Sequence, residues 1–415
     1  MRGRGPKSIT LRVIGGDGTD ALADSAGGTR FYHTSRDDRV TRGRGTKVDR
    51  RASIAPIDSV APWLSPRDFG SVWRPMPWVT YGPDLGLLAG AGLHSYQFGF
   101  RKYPYAAKIG GRFGYATLAR AFKAELTGDF RRENSRARTT FLARASQLEI
   151  LRFHGVGNEV VLAGPAEYYK VRQEQLTVHP ALAFSMGARG YAGVGPVLRY
   201  ARTKLESGRY ITTTRPYGTE GFGQAEGFGQ VGGRATLAVD TRDTPAAATR
   251  GIALNLEGSV YPHAWDVRSV FAEVHGDVSA YVSARIPFRP TLALRAGGKR
   301  VWGTYPFHEA AFLGGTGTLR GFVTQRFAGD ASVYGNGELR LFLTRFFLVL
   351  PGKLGVFALG DAGRVFLSGE SSNTWHAAVG GGLWFAFLSS TNTVSVALAR
   401  SQEKTGVYVA GGFAY

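Results

Sequence analysis

From about residue 80 to the C-terminal end, apolar and polar side chains alternate one for one. Phe122, Ala124, Leu126, Gly128 and Phe130 alternate with Lys123, Glu125, Thr127 and Asp129. Leu254, Leu256, Gly258 and Val260 alternate with Asn255, Glu257 and Ser259, and Val274, Gly276 and Val278 with Glu273, His275 and Asp277. Val394, Val396 and Leu398 follow the same rule near the end. Successive strand side chains point to opposite faces, so each segment is a strand with one apolar and one polar face. No amphipathic helical pattern accompanies them to cover a core. Strand-plus-turn units recur about every 20 residues, which gives about 16 strands, an even number suited to a closed antiparallel barrel. The fold class expected is all-β: a transmembrane antiparallel β-barrel over residues 76–415, with a short irregular or β segment before it.

Composition agrees with that reading. Gly contributes 58 of 415 residues and aromatics 12%, suited to tight turns, barrel bends and interfacial girdles. Mean hydropathy is −0.13, as for a barrel whose inner face is polar. No apolar run reaches the ~18 residues of a spanning helix; Phe346-Phe347-Leu348-Val349-Leu350 is stopped by Pro351. Cys is absent, so no disulfide framework exists. The net charge of +20 suits an anion-attracting interior or contact with anionic lipid. Its basic residues alternate with apolar ones instead of clustering, which argues against nucleic acid as a partner.

Residues 1–75 read differently, as an extramembrane segment and linker. They are rich in Asp, Arg, Gly, Ser and Thr, and Pro62, Pro66, Pro75 and Pro77 mark the linker. Gly15-Gly16-Asp17-Gly18-Thr19-Asp20-Ala21-Leu22 matches one calcium-binding nonapeptide of the β-roll type. With a single copy, an ordinary Gly/Asp turn is the expectation. The Met1–Lys7 stretch is basic, but no apolar run of signal-peptide length follows it. The segment is therefore read as the remnant of a longer periplasmic region.

One stretch breaks the alternation. Phe312-Leu313-Gly314-Gly315-Thr316-Gly317-Thr318-Leu319-Arg320-Gly321-Phe322-Val323 is too glycine-rich for a strand and too apolar for an ordinary surface loop. It resembles the Leu/Val-Arg-Gly-Phe/Tyr loop of the BamA/TamA family of outer-membrane barrels. Other segments agree in order. Phe100–Tyr105 and Gly155–Glu159 are like pieces of early strands. Val239-Asp240-Thr241-Arg242-Asp243-Thr244-Pro245 with Thr249-Arg250-Gly251 is similar to an Asp-x-Arg-Asp hairpin. Gly335–Arg340 and Gly360-Asp361-Ala362-Gly363 follow the loop.

The resemblance implies that the loop folds into the lumen and that Arg320, with Gly321 and Phe322, meets Glu338, Asp361 or both. A guanidinium fork fits carboxylates, and the glycines permit close approach. Arg326 nearby is expected to matter little. The final Val407–Tyr415 stretch resembles the C-terminal signal by which such barrels are recognised for assembly, with Phe413 and Tyr415 at its core. Phe413 and Tyr415 are expected to face lipid, as are Leu254, Leu256, Val274 and Val278. Asn255, Glu257, Glu273, His275 and Asp277 are expected to line the lumen.

No catalytic constellation is visible, so no enzyme activity, cofactor or metal is expected. There is no Gly-x-Ser-x-Gly elbow and no phosphate loop. The histidines are dispersed, and His275 between Glu273 and Asp277 reads as part of a polar stripe. The repeated Glu220–Gln224 and Glu226–Gln230 reads as a duplicated loop or strand edge without chemistry. The resemblance implies a barrel of the bacterial outer membrane for protein assembly or polypeptide translocation. Its partners are membrane lipid, unfolded outer-membrane protein clients and periplasmic accessory proteins. The alternatives are a barrel that anchors a metallophosphoesterase preceding it, and a passive pore.

Overall fold

A computed structural model describes residues 10–415 apart from 17, 33, 35, 52–66, 83–85, 188, 220–226 and 348–349. Asp17 of the nonapeptide, Pro62, Pro66 and the first Glu220–Gln224 copy lie outside the described residues, as does the basic Met1–Lys7 stretch. The chain divides into two compact units. One comprises Met1–Ser71 with Gln97–Ala106 and Arg131–Arg136; the other holds Val72–Tyr96, Ala107–Phe130 and Ala137–Tyr415.

The first unit is more regular than its composition suggests. Five three-residue strands begin at Arg12, Ala21, Arg30, Arg39 and Lys47. They alternate between two parallel sheets, one pairing Arg12–Ile14, Arg30–Tyr32 and Lys47–Asp49, the other Ala21–Ala23 and Arg39–Thr41. This is a small roll with a repeat of about nine residues. Each strand carries one apolar residue at its centre, Val13, Leu22, Phe31, Val40 and Val48. The expectation of a lone Gly/Asp turn is thereby corrected: degenerate copies stack behind the one that is legible. The turn carboxylates bond the backbone. Asp24 accepts from the Gly27 and Thr29 amides at 2.8 and 2.9 Å, and Asp38 from the Asp20 amide at 2.9 Å.

The second unit is built on a sixteen-stranded sheet, with Ser71–Gly82 at one edge and Thr405–Gly411 at the other. Consecutive barrel strands are neighbours throughout. The first begins at Ser71, ahead of the expected boundary at residue 76. Pro75 and Pro77 lie inside it and not in a linker; proline is tolerated there because an edge strand leaves amides unpaired. Phe100–Tyr105 and Gly155–Glu159 fall in connections between strands. Their expected place in early strands is corrected, because glycine at φ +100° (Gly155) and +126° (Gly157) cannot continue an extended strand.

The sheet curls so that segments distant in sequence meet. The Arg152 amide bonds Gln325, and the Asn158 amide bonds Glu370 at 2.9 Å. Among the described residues no ladder joins the two edge strands. Connections such as 187–189, 284–290 and 388–392 are short at one end, whereas 153–169, 205–226 and 303–330 are long at the other. Outer-membrane barrels carry short turns on the periplasmic side and long loops outside. No helix among the described residues is long and apolar enough to cross a membrane.

Alternation sorts the faces as expected for the middle strands. Leu256, Val274 and Val278 are exposed on the outer face. On the inner face Arg234 pairs Glu257 at 3.1 Å, and Arg295 reaches Asp277 at 3.3 Å. A test follows from one adjacent pair of residues. In lipid vesicles Leu256→Arg is expected to cost about 2–4 kcal/mol at mid-membrane depth, and Asn255→Arg far less. Denaturant titration of the folded barrel reads the difference; equal costs would show the faces to be reversed.

Candidate functional site

The strand Thr291–Trp302 pairs directly with Ala331–Phe347, so residues 303–330 leave the sheet between neighbours. They form a short helix, Phe307–Glu309, and a hairpin of Ala311–Leu313 with Phe327–Gly329. The glycine-rich turn is the tip of that hairpin. Gly321 has φ +85°, and a Cβ there would stand 2.8 Å from the Ala378 side chain. Only glycine allows both the backbone twist and this approach to the wall. Phe322 follows, buried in a cluster with Leu313, Leu319, Phe327, Val365 and Ala378.

The turn delivers Arg320 between two carboxylates. Its Nε and Nη2 donate to the Oδ2 and Oδ1 of Asp361, both at 2.7 Å, and its backbone amide donates to Oδ2 at 3.0 Å. Nη1 donates to Glu338 Oε1 at 2.5 Å. Arg340, two residues along the same strand face as Glu338, donates to the other carboxylate oxygen at 2.9 Å. All four side chains are only 1–4% exposed. Two guanidiniums thus balance two carboxylates in a site shut off from water. Burial alone lowers the proton affinity of Arg320; Asp361 and Glu338 outweigh it and raise it, holding the charge.

Further bonds tie the turn to the last strands. The Gly321 amide donates to the Tyr408 hydroxyl at 2.7 Å, and Ser401 Oγ donates to the Gly321 carbonyl at 2.6 Å. Asn336 Nδ2 donates to the Thr318 carbonyl at 2.8 Å. An Omp85 superfamily domain matches residues 106–386, more than half of the chain.

The chain belongs to the Omp85 superfamily. Its fold is similar to that of BamA from Haemophilus ducreyi lacking POTRA domains 1–3, with a TM-score of 0.57 at 14% identity, over 83% of this chain and 70% of that one. It is also similar to CdiB from Escherichia coli, with a TM-score of 0.50 at 12% identity, over 82% of this chain and 61% of that one. No curated protein sequence matches the chain.

Within this Omp85 barrel the structure brings Arg320 together with both Glu338 and Asp361, with Gly321 beside it in the turn and Phe322 in the apolar cluster behind it. Arg340 was the residue sequence reasoning passed over. Its signal was spacing, since a residue two positions from Glu338 on a strand shares its face. Tyr408 and Ser401 carry no such signal, because only the curl of the sheet brings the last strands to the loop.

Arg326 corrects an expectation. It is 4% exposed, donates from Nε to Glu403 at 2.8 Å and from Nη2 to the Val160 carbonyl at 2.6 Å. It anchors the loop base, so it is no neutral neighbour. A second cluster, two buried carboxylates facing two half-buried cations, has no such signal either. Arg199 reaches Glu309 at 2.6 Å, and Lys299 reaches Glu273 at 2.6 Å and Glu309 at 3.7 Å. Gln230, from the second Gly-Phe-Gly-Gln copy, donates to Glu309 at 2.7 Å. That copy, read as a duplicated loop or strand edge without chemistry, lies at the edge of the strand Gly227–Asp240 and supplies a buried bond to the helix Phe307–Glu309.

His275 lies with Glu257 and Glu273, their ligand atoms within 4.8 Å of one another, while Asp277 turns to Arg295 instead. Arg234 and Lys299 already hold those two carboxylates, and such cations oppose a metal ion at the same oxygens.

The C-terminal aromatics reverse their expected direction. Val407 and Val409 face outward, but the strand ends at Gly411 and Gly412 adopts φ +95°. The Phe413 amide then donates to the carbonyl of Ala246, in the turn before Gly251, at 3.1 Å, and Tyr415 Oη donates to the Ala293 carbonyl at 3.1 Å. The Arg340 guanidinium lies 3.7 Å over the Phe413 ring. Phe413 and Tyr415 therefore pack inside the barrel and not against lipid. A cation–π contact and buried hydrogen bonds outweigh the periodicity that carried Val407 and Val409 outward.

Proposed function

We propose that this chain is the barrel of an outer-membrane machine that assembles membrane proteins or passes polypeptides, with Arg320, Glu338 and Asp361 acting as the lock that keeps its lumen loop seated. The single observation carrying this reading is the buried four-residue network with the loop inside the barrel. A pore for free diffusion has no use for a loop pinned by two carboxylates across its lumen. The edge strands Ser71–Gly82 and Thr405–Gly411, with no ladder between them among the described residues, supply a seam at which a client strand could pair. The partners this reading calls for are lipid, unfolded outer-membrane proteins and periplasmic accessory proteins.

Phe413 and Tyr415 serve this reading in time rather than in place. Before folding they form an aromatic C-terminal signal for the chain's own insertion, and afterwards they tuck inside. The experiment is reconstitution of the full chain in proteoliposomes with a urea-unfolded outer-membrane protein. Folding of that client, read by protease protection, is expected to accelerate over empty liposomes. Unchanged client folding together with a steady ion conductance would replace the proposal with the passive pore.

A further inference from the structure

The short-turn end of the barrel holds a chamber of about 640 Å³ that the lock does not use. Its charge is one-sided. Arg250, Arg285, Arg289, Arg345 and Lys353 line it, with Arg340 at its inner end, against a single acid, Asp243. That acid is spent locally: its carboxylate accepts the Thr244 and Thr249 amides at 2.8 and 2.9 Å and the Thr249 hydroxyl at 2.5 Å. Among the described residues, none of the first five cations has an ion-pair partner.

Two of these cations face each other directly. Arg345 and Lys353 are cross-strand partners in the ladder of Ala331–Phe347 with Pro351–Phe366. Like charges at directly opposed positions repel and destabilise a sheet. The chamber's one acid, Asp243, is held by Thr244 and Thr249, so the arrangement costs stability without an internal return, as functional sites do. The remaining wall is apolar: Trp384 and Phe413 pack edge to face at 6.1 Å, and Phe342 adds a third ring.

We propose that this chamber binds an acidic, partly aromatic or aliphatic segment of extended polypeptide, entering from the short-turn mouth. Arg345, Lys353, Arg289 and Arg250 take its carboxylates, and Trp384 and Phe413 take its apolar side chains. Peptide is favoured over lipid because the lining rings and Arg340 belong to the barrel interior. Arg340 is 4% exposed and bonded within the lock, and Phe413 packs on the inner wall. A lipid headgroup would have to leave the bilayer plane to reach them, whereas an extended chain at the aqueous mouth would not. The inference rests on the reading of the protein as one that handles polypeptides.

The test is fluorescence anisotropy of a short fluorescein-labelled peptide of alternating Glu and Phe/Leu, titrated with the full chain in non-ionic detergent. The expected result is saturable binding that weakens about tenfold or more in the Arg345→Gln, Lys353→Gln double variant. Binding should also weaken as salt rises past about 0.15 M. Arg300→Gln, on the outer face near Trp302, should bind as the parent does. Unchanged heat-modifiable migration confirms that the double variant is folded; should it not fold, Arg250→Gln with Arg289→Gln on the turns replaces it. No binding, equal binding of the Lys counterpart peptide, or equal affinity in the folded variant would overturn the proposal. Displacement of the peptide by short-chain phosphatidylglycerol, with the same dependence on Arg345 and Lys353, would overturn it in favour of a lipid site. Loss of peptide capture with client folding still accelerated sinks this inference alone. Capture without accelerated folding sinks the functional reading instead.

Discussion

Arg320→Ala is expected to destabilise the barrel by about 3–5 kcal/mol, the cost of leaving buried charges without their partner. Asp361 loses both arms of the guanidinium fork at 2.7 Å, and Glu338 keeps only Arg340. The measurement is the temperature at which the folded, fast-migrating form is lost on gels, together with unfolding by denaturant in detergent. Arg320→Lys should recover only part of the loss, since an ammonium cannot reproduce the two parallel bonds. A cycle combining Arg320→Ala with Asp361→Ala should be strongly non-additive, because either change alone breaks the pair. Additive losses would reduce Arg320 to an ordinary loop residue. Arg326 is unsuitable as the neutral control for this series, being buried and paired with Glu403. Arg300 on the outer face is suitable.

Glu309→Gln should weaken the barrel by a similar amount, about 3–5 kcal/mol, because Arg199 and Lys299 then share Glu273 alone. The same cluster makes stability depend on pH through its neighbour. Burial, against the pull of Glu309 and with lesser help from Arg199 and Lys299, pushes the His308 pKa down to about 4. The folded protein therefore keeps His308 neutral where the unfolded chain, near its ordinary 6.5, takes up a proton. The unfolded state binds more protons in that window, so stability falls as pH drops from about 6.5 towards 4, by on the order of 3 kcal/mol. Glu309 acts lower on the scale. Burial raises its pKa, but Arg199 and Lys299 outweigh that and lower it, so its stabilisation is lost only below the ordinary carboxylate range. Denaturant midpoints of the parent and His308→Gln across this range separate the two. A parent curve flat between pH 6.5 and 4 would show that His308 is not held neutral.

Much of the architecture is legible along the chain because strand periodicity is local. Leu254 and Leu256 against Asn255 and Glu257 reveal a two-faced strand without knowledge of any neighbour, and the size of the repeat leads to sixteen strands. The Leu319–Phe322 run is legible for the same reason: glycines bracketing a lone arginine have no place in a strand. The nonapeptide roll was half hidden. Its copies share one central apolar residue and little else, and parallel stacking tolerates that variation because the central residue of each strand aligns with that of the next. Phe413 and Tyr415 mislead because periodicity carries no information past a glycine turn.

That this is an all-β, two-faced chain with one arginine-bearing loop follows from side-chain order along a backbone of period two. What the arginine meets was decided only by tertiary structure. Asp361 and Glu338 lie on adjacent strands 41 and 18 residues away, and Tyr408 and Ser401 lie further along the sheet. Register and curl bring them to one point, and neither is written in local spacing. The inward turn of the C-terminus, the Arg199–Glu309 cluster and the like charges opposite one another at Arg345 and Lys353 arise in the same way. Each depends on which strand edges are neighbours, and that is settled by the energy of the whole sheet rather than by any one segment.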